Sequence, residues 1–182
     1  LHVNTITKYL LKQLVQCTDQ YPLSKAEISL ISTASALHDI GKISISDEIL
    51  NKPGRLTAEE FEVMKTHSMV GANMLLDLPI EQQEAPLVKV ASEICRWHHE
   101  RYDGSGYPDG LKGDEIPIAA QVVALADVYD ALTSERCYKK AYSHKEALKM
   151  ILEGQCGAFN PTLLLCLQKI ADTLESELMD TS

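Results

Sequence analysis

Apolar positions along this chain recur every three to four residues, the period of an amphipathic helix, and no stretch shows the alternation of a half-buried strand. Over residues 3–17, Ile6, Leu10, Leu11 and Leu14 share one helical face, and Pro22 closes the connection behind them. Ser24-Lys25-Ala26-Glu27 is a capping box, whose hydroxyl and carboxylate satisfy free N–H groups at a helix start. The stripe that follows runs Ile28, Ile31, Ser35, His38, so His38 is predicted to point inward. Residues 46–56 predict one helical turn and a loop broken at Pro53-Gly54. A second capping box, Thr57-Ala58-Glu59-Glu60, opens a helix with Phe61, Met64, His67, Gly71, Met74 and Leu78 on its inner face, ended by Pro79. The next helix carries Leu87, Val90, Ala91, Ile94 and His98 on one face.

From Tyr102 to Pro117 the periodicity stops in a Gly- and Asp-rich loop of the kind that carries function on a rigid scaffold. Pro117 suits the first turn of a helix reaching about Leu132, with Ala119, Val123, Ala126, Asp127 and Asp130 on a broad face. Ser143-His144-Lys145-Glu146 is a third capping box, and Asn160-Pro161 provides N-cap and first residue of the last helix. The polar tail after Glu175 is expected to fray.

A length of 182 residues fits one domain that buries about 70% of its unfolded surface. The composition, 45% hydrophobic and 24% charged, is that of a soluble globular protein, and no apolar run is long enough to span a membrane. A formal charge of −9 argues against long nucleic acid, whose binding needs Lys and Arg on phosphates. It leaves room for a small phosphorylated ligand if metal ions supply local positive charge. The five cysteines, without a Cys-x-x-Cys pair, read as reduced thiols of a cytoplasmic protein, and a chain starting at Leu1 reads as a domain cut from something longer.

The histidines change this picture. Five of six, His2, His38, His67, His98 and His99, fall where a metal site would use them, whereas His144, in a polar cap, is expected at the surface. Imidazole and carboxylate without thiolate favour iron, manganese or zinc. At a helix end His38 and Asp39 diverge, and the two oxygens of Asp39 can bridge a pair of metals, which makes phosphoester hydrolysis the natural reaction class. Lys42 is either a solvated helix-end lysine or a cation within reach of whatever Asp39 holds. Asp127 and Asp130 read as surface acids, a polar helix pair or ligands, and the apolar run from Val122 to Val128 weakens the surface reading for Asp127. Adjacent His98 and His99 can serve one site because the helix ends there.

His38-Asp39-Ile40-Gly41-Lys42, His67-Ser68-x-x-Gly71, His98-His99-Glu100-Arg101-Tyr102-Asp103-Gly104-Ser105-Gly106-Tyr107-Pro108 and Asp127-Val128-Tyr129-Asp130, in that order, closely resemble the HD-GYP domain. This is the branch of the HD phosphohydrolase superfamily that hydrolyses cyclic di-GMP. The resemblance implies an all-α bundle of about seven helices with a five-helix core, occupying residues 1–182 as the output domain of a longer protein. It implies two or three divalent ions, iron or manganese, with His38, Asp39, His67, His98, His99 and Asp127 as ligands, Asp39 bridging, and His2 as an earlier ligand. A glutamate that would hold a third ion in some members would precede Leu1.

The same resemblance casts Asp39, Lys42 and Asp130 as catalytic. It assigns Lys42, Arg136, Lys139 and the Gly106-Tyr107-Pro108 loop to substrate, and it implies attack by a metal-bridging hydroxide to give pGpG and, on a second cut, GMP. Alternatives are 3′,3′-cyclic GMP-AMP as substrate, or a module that binds cyclic dinucleotide or docks a diguanylate cyclase domain with little turnover. An upstream receiver or sensory domain is the expected partner, and an oligomer is compatible with the pattern. Thr5, Gln121, Cys137 and Asn160 depart from the family's usual arginine, arginine, proline and aspartate.

Overall fold

The computed structural model describes residues 2–135 and 140–180, among which there are nine α-helices, three 3-10 turns and no strand. In α1 (His2–Cys17) the predicted stripe is buried, with Val3 and Thr7 added to it. Each buried Leu contributes about 1.5–3 kcal/mol over an exposed one. Ser24 caps α2 (Lys25–Ala34): its hydroxyl accepts from the Glu27 N–H, and the Glu27 carboxylate accepts from the Ser24 N–H. The stripe does not reach His38 as α-helix. After Ala34 the backbone tightens into a 3-10 turn (Ser35–Leu37), opens at Asp39 (φ −109°, ψ 16°) and tightens again over Ile40–Ser44. His38 and Asp39 therefore lie at a break between two short turns.

The single turn predicted after Ser46 is α3 (Asp47–Leu50). Thr57 caps α4 (Ala58–Leu76) as expected, but its inner face is rotated from the predicted stripe. His67, Ser68, Gly71, Ala72 and Leu75 are buried, while Phe61 and Met74 remain 43% and 41% exposed. The reason is local: the first turn of α4 faces the loop of residues 102–117, where Phe61 meets Tyr107 edge to face. A short helix not anticipated from the sequence, α5 (Ile80–Gln83), follows Pro79, and α6 (Pro86–Trp97) ends at His98. The loop contains one 3-10 turn (Gly113–Glu115).

Pro117 stands one residue ahead of α7 (Ile118–Thr133). Ser143 accepts from the Glu146 N–H to start α8 (His144–Leu152), and Asn160 Oδ1 accepts from the Thr162 N–H, 3.0 Å, to start α9 (Pro161–Asp180). The chain beyond Glu175 stays helical because Leu178, 4% exposed, packs into the core.

Seven of these helices have nine residues or more, the number expected. α1, α2, α4, α6 and α7 form the bundle core: α1 packs on α2 and α7, and α6 on α2, α4 and α7. α7 runs through the middle, with every residue from Ala119 to Ala126 buried. α9 covers α1, and α8 packs against α7 and α9. Tyr9 meets Glu177 while Cys17 meets Lys169, so α9 runs antiparallel to α1. Among the described residues no helix is long and apolar enough to cross a membrane.

Candidate metal centre

Four elements meet where the chain breaks at Asp39. The close approach depends on Gly41, where a Cβ would lie 1.9 Å from the carbonyl oxygen of His67 and 2.6 Å from the amide nitrogen of Gly71. With only hydrogen there, the turn after Asp39 rests directly on the backbone of α4, and this sets Asp39 beside His67. The C-terminus of α6 brings His98 and His99, and the second half of α7 brings Asp127.

The result is two groups of potential ligand atoms sharing one residue: Asp39, His67, His98 and His99, and His38, Asp39 and Asp127, each mutually within 4.8 Å. Oδ1 of Asp39 is 3.3 Å from His67 Nε2 and 3.5 Å from His98 Nε2. Its other oxygen is 3.0 Å from His38 Nε2, which lies 3.3 Å from Asp127 Oδ1. His99 Nε2 is 3.1 Å from His67 Nε2. Six predicted ligands are thus brought together, and Asp39 faces both groups.

The tautomers follow from the second ring nitrogens. Nδ1 of His38 lies 2.7 Å from the Ser35 carbonyl, that of His67 2.6 Å from Met64, and that of His98 2.9 Å from Ile94. A carbonyl only accepts, so each Nδ1 carries a proton and each Nε2 is turned toward the centre. The Nε2 lone pairs of His67 and His98 lie 3.3 and 3.5 Å from Asp39 Oδ1, and imidazole and carboxylate lone pairs at that range repel unless a positive charge lies between them. Asp39 Oδ1 and His98 Nε2 are buried and make no hydrogen bond.

Divalent cations fit this donor set, since they satisfy the orphaned atoms together and suit nitrogen and oxygen ligands. Burial opposes charge on Asp39, but contacts with His38, His67 and His98 prevail and hold its carboxyl well below the usual range. Burial likewise opposes charge on His38, yet hydrogen bonds to Asp127 and Asp39 raise it to about 10. Burial, reinforced by the neighbouring His98 and His67, pushes His99 down to about 2, leaving it neutral. Burial lifts the Cys95 thiol to about 12, and it donates to the Leu37 carbonyl, so no thiolate competes for the site.

Lys42 Nζ lies 3.2 Å from Asp39 Oδ2 at the edge of the cluster, its side chain 33% exposed. His2 and Asp130 fall outside both groups and pair with each other one turn along α7, Nδ1 to Oδ1 3.3 Å, where Asp130 also accepts from the Ser134 hydroxyl. Arg136 and Lys139 lie outside the described residues. His144 is not at the surface as expected: it is half-buried, and its Nδ1 is hydrogen-bonded with the Tyr129 hydroxyl at 2.6 Å.

The Gly106-Tyr107-Pro108 loop folds back on the histidine pair. A Cβ on Gly106 would lie 2.3 Å from the His99 carbonyl oxygen, which accepts from the Tyr107 N–H. Tyr107 stacks on the His99 ring at 4.9 Å and 16°, with Lys65 Nζ 5.6 Å from the Tyr107 ring centroid and 5.1 Å from that of Phe61. Sequence reasoning missed the residues that hold this loop. Glu100 Oε1 accepts from the Asp109 and Leu111 N–H groups, and Asp109 accepts from Arg96 and from Trp97 Nε1. The signal was present in the acidic residue after His98-His99, a buried acid at a helix end needing donors.

The family model described as HD domain matches residues 4–163. The chain belongs to the HD domain family, and it carries the HD-GYP pattern read from its sequence. A Vibrio cholerae protein named probable cyclic di-GMP phosphodiesterase is 46% identical over 162 residues, 85% of this chain and 36% of that protein. A second from the same organism, 3′3′-cGAMP-specific phosphodiesterase 2, is 40% identical over 144 residues, 79% of this chain and 27% of that one. The chain therefore spans about a third of the length of these relatives. A solved HDG"Y"P protein from Bdellovibrio bacteriovorus shares the fold, with a TM-score of 0.68 at 20% identity over 98% of this chain and 50% of that one.

Proposed function

We propose that this chain is the output domain of a longer bacterial signalling protein and hydrolyses cyclic di-GMP to pGpG, with GMP as the product of a second cut. The observation that carries this reading is Asp39, whose Oδ1 faces His67 and His98 while its Oδ2 faces His38, itself beside Asp127. His38, Asp39 and Asp127 would hold one divalent ion, and Asp39, His67, His98 and His99 the other, iron or manganese. Bound there, the pair would acidify a water molecule and neutralise charge on the phosphoryl group.

The chain's own residues do the rest. The carbonyls of Ser35, Met64 and Ile94 hold the imidazoles in the tautomer that presents Nε2. Lys42 extends from Asp39 toward solvent and binds a non-bridging phosphate oxygen as charge builds in the transition state. Arg136 and Lys139 hold the remaining phosphate, and the Tyr107 loop walls the pocket beside His99. The ribose 3′-oxygen leaves. His2 and Asp130 brace α1 against α7 one turn from Asp127. An upstream receiver or sensory domain would control access from the α1 side.

A second substrate, 3′,3′-cyclic GMP-AMP, is favoured by the relative that is 40% identical and named for it. Chromatography of products from both dinucleotides, using iron- or manganese-loaded protein, separates the two. Cyclic di-GMP is expected to turn over faster, and Asp39→Asn and His67→Ala, folded by circular dichroism, should lose hydrolysis by orders of magnitude. Faster loss of the mixed dinucleotide would transfer the assignment to it, and binding without product would leave only a docking module.

A further inference from the structure

Glu100, at the root of the loop that covers His99, is 2% exposed, and its two oxygens have unequal surroundings. Oε1 accepts from the N–H groups of Asp109 and Leu111, at 3.2 and 2.9 Å. Oε2 is buried and makes no hydrogen bond. Glu100 also lines a small cavity of about 10 Å³ together with Tyr102, Gln121 and Asn160, and with the apolar Ile116 and Phe159. With Oε1 taken by the loop, Oε2 is the oxygen left to face that space. A volume of this size holds one sphere as large as a water molecule.

Charge decides what that sphere is. Both donors on Oε1 are neutral amides. Among the described residues, the lysines and arginines in ion pairs meet Asp39, Glu60, Glu62, Asp109 and Glu153, and neither Glu100 nor Asp114. Asp114 brings a second carboxylate to the far side of Gln121, whose Nε2 donates to it at 3.2 Å. A buried carboxylate without a cation is costly, and a water molecule would give Oε2 a hydrogen bond without cancelling its charge. Gln121 Oε1 accepts from Asn160 Nδ2 at 3.1 Å and keeps a second lone pair, a neutral oxygen ligand beside the charged one.

We infer that this cavity binds one monovalent alkali cation of potassium size, held by Glu100 Oε2 with neutral oxygens such as Gln121 Oε1. Hard cations take oxygen ligands alone, and a single charge matches the single buried carboxylate. Magnesium, which keeps several of its own waters, does not fit a space of one sphere. Bound there, the ion fixes Glu100 from behind and so secures the loop whose Tyr107 stacks on His99. Glu100 belongs to neither group of ligands in the metal centre, so the site is read independently of hydrolysis.

The experiment follows melting of the full chain, at constant loading of the metal centre, in potassium chloride and in tetramethylammonium chloride of equal concentration. Potassium is expected to raise the melting temperature saturably, by about 5–10 °C at about a hundredfold excess over its Kd. Tetramethylammonium, too large for the cavity, should not. Glu100→Gln, which keeps the shape and removes the charge, should abolish the difference between the salts. Crystals of the wild type soaked in thallium(I), a potassium mimic that scatters anomalously, should show a peak beside Glu100 Oε2, a readout that stands whether or not the variant folds. Equal melting in the two salts would overturn the proposal and leave a cavity water only. So would a potassium effect that survives in Glu100→Gln, or crystals with no thallium beside Glu100.

Discussion

At the scale of single residues, the centre depends as much on what is missing at Gly41 as on its ligands. A methyl group there would meet the His67 carbonyl at 1.9 Å, with backbone on both sides and no flexible side chain to move aside. Gly41→Ala must therefore push the turn carrying Asp39 away from α4. Overpacking of this kind costs about 1–3 kcal/mol or more, and an ångström of misplacement at a reacting centre costs about 100-fold in rate. The variant is expected to melt several degrees lower and to lose metal and hydrolysis together. Wild-type metal content in Gly41→Ala would show that the contact is not what sets the spacing. The histidines themselves were legible as ligands from their positions at the ends of apolar rows. The carbonyls that fix their tautomers were not, because a backbone acceptor leaves no mark in the sequence.

At the scale of elements, the two least expected residues of the later chain meet each other. Gln121 on α7 and Asn160 ahead of α9 stand where the HD-GYP pattern usually has arginine and aspartate, and here Asn160 Nδ2 donates to Gln121 Oε1 at 3.1 Å. Gln121 in turn donates to the Ile116 carbonyl and to Asp114. The two departures therefore sit in one contact, an amide pair. Gln121→Arg and Asn160→Asp, each introducing a charge at a buried position, should destabilise singly. Combined, they should recover a coupling of about 0.5–3 kcal/mol in denaturant titrations. Simple additivity would show that the two positions are independent.

The α7–α8 junction carries a pH dependence of its own. Burial lowers the His144 pKa from 6.5, and its Nδ1 is hydrogen-bonded with the Tyr129 hydroxyl. The folded state thus binds a proton less readily than the unfolded state. This contribution to stability is present above about pH 6.5 and is lost as pH falls through the lower folded value. A nuclear magnetic resonance titration should place the His144 midpoint below 6.5, and the contribution should disappear in His144→Gln. A midpoint at or above 6.5 would contradict this. His144 was misjudged from sequence because a capping position reads as solvated, whereas α9 folds across it. The same long-range covering explains why the tail after Glu175 is helical, and why the α4 stripe drifted once its first turn faced a loop rather than a helix.

For the whole molecule, periodicity and capping boxes were enough to place seven helices, and the order of motifs was enough to place the centre between them. What they could not supply was closure: which helix ends meet, and at what distance. That comes from the bundle core, where α7 passes through the middle and carries Asp127 to the break at Asp39. The central claim is that these side chains form two cation sites with Asp39 common to both. Elemental analysis of protein purified anaerobically and loaded with iron or manganese tests it most directly. The account predicts at least two divalent ions per chain in the wild type and loss of both in a folded Asp39→Asn variant. A wild type that retains none, or an Asp39→Asn variant that keeps its full complement, would contradict it.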